Sequence, residues 1–357
     1  MSVIASVNSV LGANRYSQKE LSDSFTKMVS SSGKEKPVIN RIYEATGIEF
    51  RSLALPLEEL EELNGFGDSN DAFIRVGVEL GADAIIGALN GANLSAADVD
   101  FIMATSVTGI AAPSLDSRLV PILGFRSDIK RVPSFGLGCV AGVAGIARVH
   151  DYLLGHPDDV AILLSVELCS LTLQSDDISM TNIVASGLFG DGAGAVVMVG
   201  ERRAKKLGIS GPKIVSTQSR MYPNSEETMG WDIGSSGFKI VLSASVSDLI
   251  AKNLGRNVSE FLAENDLKIS DIERWVCHPG GPKVLKAIES SLELHDGQLE
   301  PSWRSLAEVG NLSSSSVLHI LRNILDGDQV ATPSAGTPGL MMAMGPGFCS
   351  ELVLLEW

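Results

Sequence analysis

Cysteine is scarce in this chain. Cys139, Cys169, Cys277 and Cys349 stand far apart in 357 residues, and no CxxC pair occurs. That spacing argues against a disulfide framework or a structural zinc site, and it fits a reducing cytoplasm in which a free thiol persists. Basic residues are also few: 28 Lys and Arg stand against 43 Asp and Glu, for a net charge of −15. A broad nucleic-acid-binding surface is therefore not expected, although a local basic mouth for a phosphorylated substrate remains compatible. No apolar run approaches the ~20 residues that a membrane-spanning helix needs. The N-terminal stretch MSVIASVNSVLGANRYSQ has no basic n-region and no long apolar core, so it does not read as a secretory signal.

What the chain has is apolar surface and glycine. Hydrophobic residues make up 45% and charged residues 20%, with 36 glycines, enough for one large or two fused domains with a substantial core. Short β-rich apolar runs include VDFIMATS (99–106), DVAILLSVEL (159–168), AGAVVMVG (193–200), RWVCHP (274–279) and SELVLLEW (350–357). Helical patterns lie among them, as at 71–92 and 245–265. Strand runs alternating with amphipathic helices predict α/β layers around a buried sheet. The charged, turn-rich stretch GERRAKKLGISGPK (200–213) is the best join between two halves, 1–204 and 205–357. In each half a helix runs into a strand that delivers a notable residue, as a duplicated fold would.

The stretch SFGLGCVAGVAGI (134–146) places one cysteine among four glycines. Three readings compete. Gly136, Gly138 and Ala141 satisfy GxGxxA, a variant of the dinucleotide fingerprint, but that motif normally opens an early βαβ unit, and no convincing ribose-binding acid follows at the end of the next strand. A buried helix with close-packed neighbours would use Cys139 as a small apolar filler. A nucleophile elbow would use the glycines for a tight turn and seat the thiol at a helix N-terminus, where the dipole favours thiolate.

Two further stretches supply partners. In WVCHPGGPKVLKAIE (275–289), His278 sits where an apolar run gives way to a Pro-Gly-Gly turn, and strand alternation sends Cys277 to the opposite, core side. In EVGNLSSSSVLHILRNIL (308–325), Asn311 precedes a Ser-rich helix start. It reads either as a helix cap or as an amide donor aimed at a carbonyl oxygen gaining negative charge.

Taken together, GCVAG around Cys139, LFGDGAGAVV around Phe189, CHPGGPKVL around His278, GNLSSSSVL around Asn311 and GPG at 345–347 resemble the type III polyketide synthases. These form the chalcone synthase-like branch of the thiolase superfamily. The resemblance covers nearly the whole chain, with 139 residues between Cys139 and His278 and 33 more to Asn311. Ketoacyl synthase III enzymes also use Cys-His-Asn, but typically follow the histidine with Gln-Ala-Asn, so HPGG favours the polyketide synthases.

The resemblance implies a five-layered αβαβα thiolase-like fold made of two similar halves, a homodimer, and no metal or redox cofactor. It implies acyl-CoA and malonyl-CoA as substrates. Cys139 would take the starter acyl group, with His278 able to pair with its thiolate. His278 and Asn311 would hold the enolate left when malonyl-CoA loses carbon dioxide. Phe189 would be a gatekeeper between the CoA tunnel and the cavity. The second gatekeeper position falls at Phe238 or Ile240 in SGFKIVLSASV (236–246). Thr172 and Cys169 would line the cavity or lie just behind it, and Ala343 and Met344 in AMGPG would shape it. Of the basic CoA cluster, Arg41 matches one member, Ala45 stands where a lysine is usual, and Lys36 is a substitute.

The run EETMGWDIGSSGFKIVLS (226–243) resembles bacterial enzymes that take medium- or long-chain fatty acyl starters and release alkylpyrones or alkylresorcinols. That is the expected product class. The alternatives are an aromatic product from malonyl units, of naphthalene or phenylacetyl type, a single-condensation synthase handing its product to a carrier protein, and a degenerate synthase acting as a scaffold.

Overall fold

The computed structural model describes residues 1–29, 34–327 and 331–357. Its main feature is a nine-stranded sheet. From one edge the strands run Arg274–Cys277, Pro338–Gly345, Cys349–Glu356, Lys213–Met221, Ser2–Leu11, Asp191–Gly200, Val160–Leu168, Phe101–Ser106 and Lys130–Phe135. The order is a repeat. Ser2–Leu11 pairs antiparallel with Asp191–Gly200, which pairs antiparallel with Val160–Leu168, which pairs parallel with Phe101–Ser106. Lys213–Met221, Cys349–Glu356, Pro338–Gly345 and Arg274–Cys277 follow the same sequence of directions. The two series join through their first strands at Ser2↔Ile214 and Val3↔Lys213.

Strand periodicity divides the apolar residues into three cores. On Val160–Leu168, the side chains of Val160, Ile162 and Leu164 join one cluster while Ala161 and Leu163 join another. On the other half, Leu340 and Met342 face a third cluster while Met341 and Ala343 face the second. Successive side chains point to opposite faces of a strand, so a sheet apolar at every position must be covered on both sides. The helix Gly65–Gly91 covers one outer face with Ala84, Ile85 and Ala88. Helices Val246–Ala263 and Pro282–Ser291 cover the other, with Leu254, Val258, Leu285 and Ile288. Between the halves lie Ala141–Gly155 and Ser316–Leu325, which contribute Val143, Ile146, Val317 and Leu321 to the middle core. This is the expected αβαβα layering.

The middle layer is tight because glycine makes it so. A Cβ on Gly142 would lie 2.3 Å from the carbonyl oxygen of Ser314, and one on Gly145 would lie 2.4 Å from Leu163. The apolar runs at 99–106, 159–168, 193–200, 274–279 and 350–357 all become strands of the main sheet, and Cys277 is fully buried in the outer core as expected. The helix expected over 71–92 begins earlier, at Gly65. A separate hairpin, Met229–Gly234 with Gly237–Leu242, stands apart from the main sheet. No helix among the described residues is long and apolar enough to cross a membrane.

Candidate active site

Cys139 sits on the turn predicted for it. The strand Lys130–Phe135 ends, Gly136 and Gly138 take φ values of +98° and +58°, and the chain enters a short 3-10 turn that feeds the helix Ala141–Gly155. Positive φ strains any residue with a Cβ, and at Gly138 that atom would also meet the Pro346 ring at 2.5 Å. The elbow is thus locked against the GPG loop. The half-buried Cys139 Sγ lies 3.7 Å from Ser313 Oγ.

His278 follows the strand Arg274–Cys277, its main-chain N–H donating to Met342 O at 2.9 Å. The ring is buried, yet neither Nδ1 nor Nε2 has a hydrogen-bond partner among the described residues. A buried ring left with both nitrogens unmatched is unusual, and marks a group held ready for something that enters. Burial pulls its pKa down to about 3, which favours the neutral imidazole. Burial also pushes the Cys139 thiol up to about 12; Ser313 opposes this and the Glu167 carboxylate adds to it. Burial of both groups opposes the thiolate–imidazolium pair expected from the sequence, and no hydrogen bond joins Cys139 to His278 among the described residues. A helix N-terminus contributes only about 1 kcal/mol toward an anion, which does not offset the loss of water around sulfur.

Asn311 follows Gly310, whose φ is +74°. Its main chain is bridged to the Phe189 segment on both sides: Asn311 N donates to Leu188 O, and Gly190 N donates to Asn311 O, each at 2.9 Å. Asn311 Oδ1 accepts from Ser313 N at 2.8 Å. The cap-like bond and the donor reading are thus compatible, since they use opposite ends of the same amide. With Oδ1 engaged, Nδ2 carries the donors left for a ligand.

These three residues line one cavity of about 660 Å³, together with Phe189, Thr172, Cys169, Ile240 and Met344. Ile240 rather than Phe238 faces it. Phe238 is buried edge-on against Phe66, with ring centroids 5.3 Å apart, and lines a smaller neighbouring pocket of about 280 Å³. Arg41 is exposed on the helix Lys36–Ala45 and is not part of the cavity wall, whereas the uncharged Ala45 is. Lys36 is held 2.9 Å from Asp23. Beside Phe189 the chain is closely packed: a Cβ on Gly190 or Gly192 would meet a main-chain oxygen at 2.9 Å.

Two buried polar groups, Glu167 behind the wall and Arg51 in it, escape the motif reading. Glu167 closes the strand Val160–Leu168 and accepts from Val107 N at 3.1 Å, Thr108 Oγ1 at 3.0 Å, Ser106 and Ser313 Oγ at 3.4 Å, and Ser314 Oγ. Burial raises its pKa against those donors. Ser313, at φ +51°, bridges Glu167 and the thiol; a non-glycine residue there stores strain that the surrounding contacts must hold. Arg51 is buried and donates to Gln18 Oε1 at 3.0 Å, Ser186 O at 2.6 Å and Phe189 O at 2.7 Å, clamping the Phe189 segment. The available signal was a single charge interrupting an apolar run, in LLSVEL and in FRSLAL.

Comparison with known proteins gives these features a family. Residues 2–202 match the model of the N-terminal domain of chalcone and stilbene synthases, and residues 213–356 match the C-terminal one. The chain is 50% identical to 1,3,6,8-tetrahydroxynaphthalene synthase of Streptomyces peucetius subsp. caesius, covering 99% of this chain and 93% of that one. An alpha-pyrone synthesis polyketide synthase-like protein of Mycobacterium tuberculosis is 29% identical, over 95% of this chain and 87% of that one. The crystal structure of tetrahydroxynaphthalene synthase from Streptomyces coelicolor A3(2), a bacterial type III polyketide synthase, superposes with a TM-score of 0.92 at 29% identity, covering 99% of both chains. The chain belongs to the chalcone and stilbene synthase family and is a type III polyketide synthase with a thiolase-like fold, an acyltransferase-type enzyme that condenses CoA thioesters and uses malonyl-CoA.

Proposed function

We propose that this enzyme builds an aromatic product from malonyl units, of the tetrahydroxynaphthalene type, rather than the alkylpyrone or alkylresorcinol suggested by the run at 226–243. The observation that carries this reading is the 50% identity, along essentially the whole chain, to a tetrahydroxynaphthalene synthase, against 29% for the alpha-pyrone relative. The fatty acyl reading keeps one point in its favour: Leu21, Phe25, Met28, Leu57 and Leu60 give part of the cavity wall an apolar surface. The HPGG sequence after Cys277 favours repeated extension over a single condensation.

In this mechanism neutral His278 takes the Cys139 proton as sulfur attacks the starter thioester, and returns it to the departing CoA thiolate. The carboxylate of malonyl-CoA then leaves as carbon dioxide, and its electron pair forms an enolate. His278 N–H and Asn311 Nδ2–H donate to the enolate oxygen, each such donor being worth about 3 kcal/mol. The enolate carbon attacks the Cys139 thioester, a C–C bond forms, and the C–S bond breaks. Phe189, held by Arg51, gates the cavity. Thr172, Cys169, Ile240 and Met344 shape the space in which the chain folds before ring closure.

The division into halves near residue 204 is supported by the repeated strand order and by the gap between the two family models. A homodimer is supported by the edge strand Lys130–Phe135, where Val132 and Phe135 are exposed, with Ile110 and Ile122 also exposed nearby in sequence. Four separated free cysteines support a cytoplasmic location. The test is to incubate purified enzyme with malonyl-CoA alone and with acyl-CoA starters of increasing length, resolving products by mass. A single aromatic product from malonyl-CoA alone is expected. Products that appear only with fatty acyl starters would overturn the proposal and restore the alkylpyrone reading.

A further inference from the structure

The helix Met180–Leu188 ends at Phe189 in the cavity wall, and the carbonyls of its last turn have no partners within the helix beyond one. Ala185 O accepts from Phe189 N at 3.1 Å. The other three are taken by residues from distant parts of the chain. Ser186 O accepts from Arg51 Nη1 at 2.6 Å, Gly187 O from Gln18 Nε2 at 2.7 Å, and Leu188 O from Asn311 N at 2.9 Å. Phe189 O, one residue past the helix, accepts from the same Arg51 Nη1 at 2.7 Å. Arg51 Nε donates to Gln18 Oε1 at 3.0 Å, so the two capping side chains brace each other. The guanidinium charge also opposes the negative end of the helix dipole.

Asn311 is therefore one of the caps of this helix, and its place depends on where the helix ends. Its N–H and C=O are both committed to the segment, to Leu188 O and Gly190 N, in a parallel bridge with Phe189. Arg51 meets the same point through its stem: a Cβ on Gly310 would lie 2.9 Å from Arg51 Cγ and 3.0 Å from Leu188 O. One buried side chain thus packs on the residue before Asn311 and holds the segment to which Asn311 is bonded. A rigid guanidinium fork can serve Gln18, Ser186 and Phe189 together, whereas a lysine ammonium is a single point. Cys139 and His278 are fixed elsewhere, by Pro346 against Gly138 and by the His278 N–H to Met342 O.

We propose that Arg51 is a positioning residue for malonyl decarboxylation: it fixes the end of the helix Met180–Leu188, and through it the Asn311 amide that donates to the enolate oxygen. Arg51 acts here without touching the substrate. A donor displaced by about 1 Å costs about 10²-fold in rate, so a clamp on the main chain that carries Asn311 bears directly on this step. This rests on the reading of Asn311 as the enolate donor, but not on which product is made.

The experiment compares wild type, Arg51→Lys, Arg51→Met, Asn311→Ala and the double variant Arg51→Lys/Asn311→Ala. Two rates are read on each protein: decarboxylation of malonyl-CoA to acetyl-CoA and carbon dioxide, and alkylation of Cys139 by iodoacetamide. For decarboxylation, kcat should fall about tenfold in Arg51→Lys and up to about a hundredfold in Arg51→Met, with KM for malonyl-CoA unchanged. Alkylation should keep its wild-type rate in both, which a general loosening of the fold would not allow. Adding Arg51→Lys to Asn311→Ala should cost little more, because the amide it positions is gone. Multiplied losses in the double variant would place the effect on Phe189 or on folding, and equal losses in both rates would place it on folding. An unchanged kcat in Arg51→Lys would remove the residue from positioning; each of these overturns the proposal, and none needs Arg51→Met to fold. Wild-type decarboxylation in Asn311→Ala would overturn the donor reading and the proposal with it, so the two failures are told apart by the single variants.

Discussion

The acyl end of the cavity and its outer wall are built differently. Around Cys139 and Asn311, position is set by main chain. Gly138 admits the Pro346 ring, Gly142 admits the Ser314 carbonyl, and Asn311 is bridged through its own N–H and C=O to the chain on either side of Phe189. His278 is likewise held through its backbone bond to Met342. The outer wall is set by side chains. The hairpin Met229–Gly234 and Gly237–Leu242 lies outside the main sheet and contributes Met229, Trp231, Ile240 and Leu242, while the helix Lys36–Ala45 contributes Ile42 and Ala45. Side-chain walls can change by a methylene without moving the backbone, whereas reacting groups lose rate with displacements of about 1 Å. The inner region is therefore suited to a fixed reaction, and the outer wall to choosing the molecule on which it acts.

Substitutions can sharpen or break that contrast. The largest effect should come from Asn311→Ala, with a loss of about 10²–10³ in kcat, read as decarboxylation of malonyl-CoA and as product. A loss no greater than that of an outer-wall variant would break the comparison. Next comes His278→Ala, read by alkylation of Cys139 with iodoacetamide between pH 7 and 9. Burial raises the thiol, so without a proton acceptor its reactive thiolate fraction should climb about tenfold per pH unit below the pKa. Wild type should react faster at pH 7 and climb less steeply, because His278 takes the proton; superimposable profiles would remove it from that role. The smallest effect should come from Ile240→Phe, which narrows the wall. It should change the ratio of kcat/KM between short and long acyl starters by about tenfold, within the 1–3 kcal/mol that pocket shape commands, while leaving malonyl decarboxylation near wild type. If decarboxylation fell as far as in Asn311→Ala, the hairpin would belong to the chemistry.

Legibility in the sequence follows the same division. Cys139, His278 and Asn311 were readable because each is flanked by residues that only a special backbone requires: glycines before the thiol, Pro-Gly-Gly after the imidazole, glycine and serines around the amide. The strands were readable because a sheet covered on both faces must be apolar at nearly every position. Glu167 and Arg51 were visible only as isolated charges in apolar runs, and their partners lie far along the chain, at Ser313 and Ser314 for one and at Ser186 and Phe189 for the other. The choice of Ile240 over Phe238 was not readable, because it depends on whether the Phe66, Phe135 and Trp231 rings engage the phenylalanine.

The sequence by itself determined the family through its motifs and an α/β fold through its periodicity, and it marked the proposed reacting trio by local backbone demands. Tertiary structure alone decided the burial and the charge of the cavity. Burial pushes the Cys139 thiol up and the His278 ring down, and packing brings Lys283 to the wall while leaving Arg41 outside. The physical reason is that solvation and charge at a point depend on every element packed around it, and those elements come from distant parts of the chain.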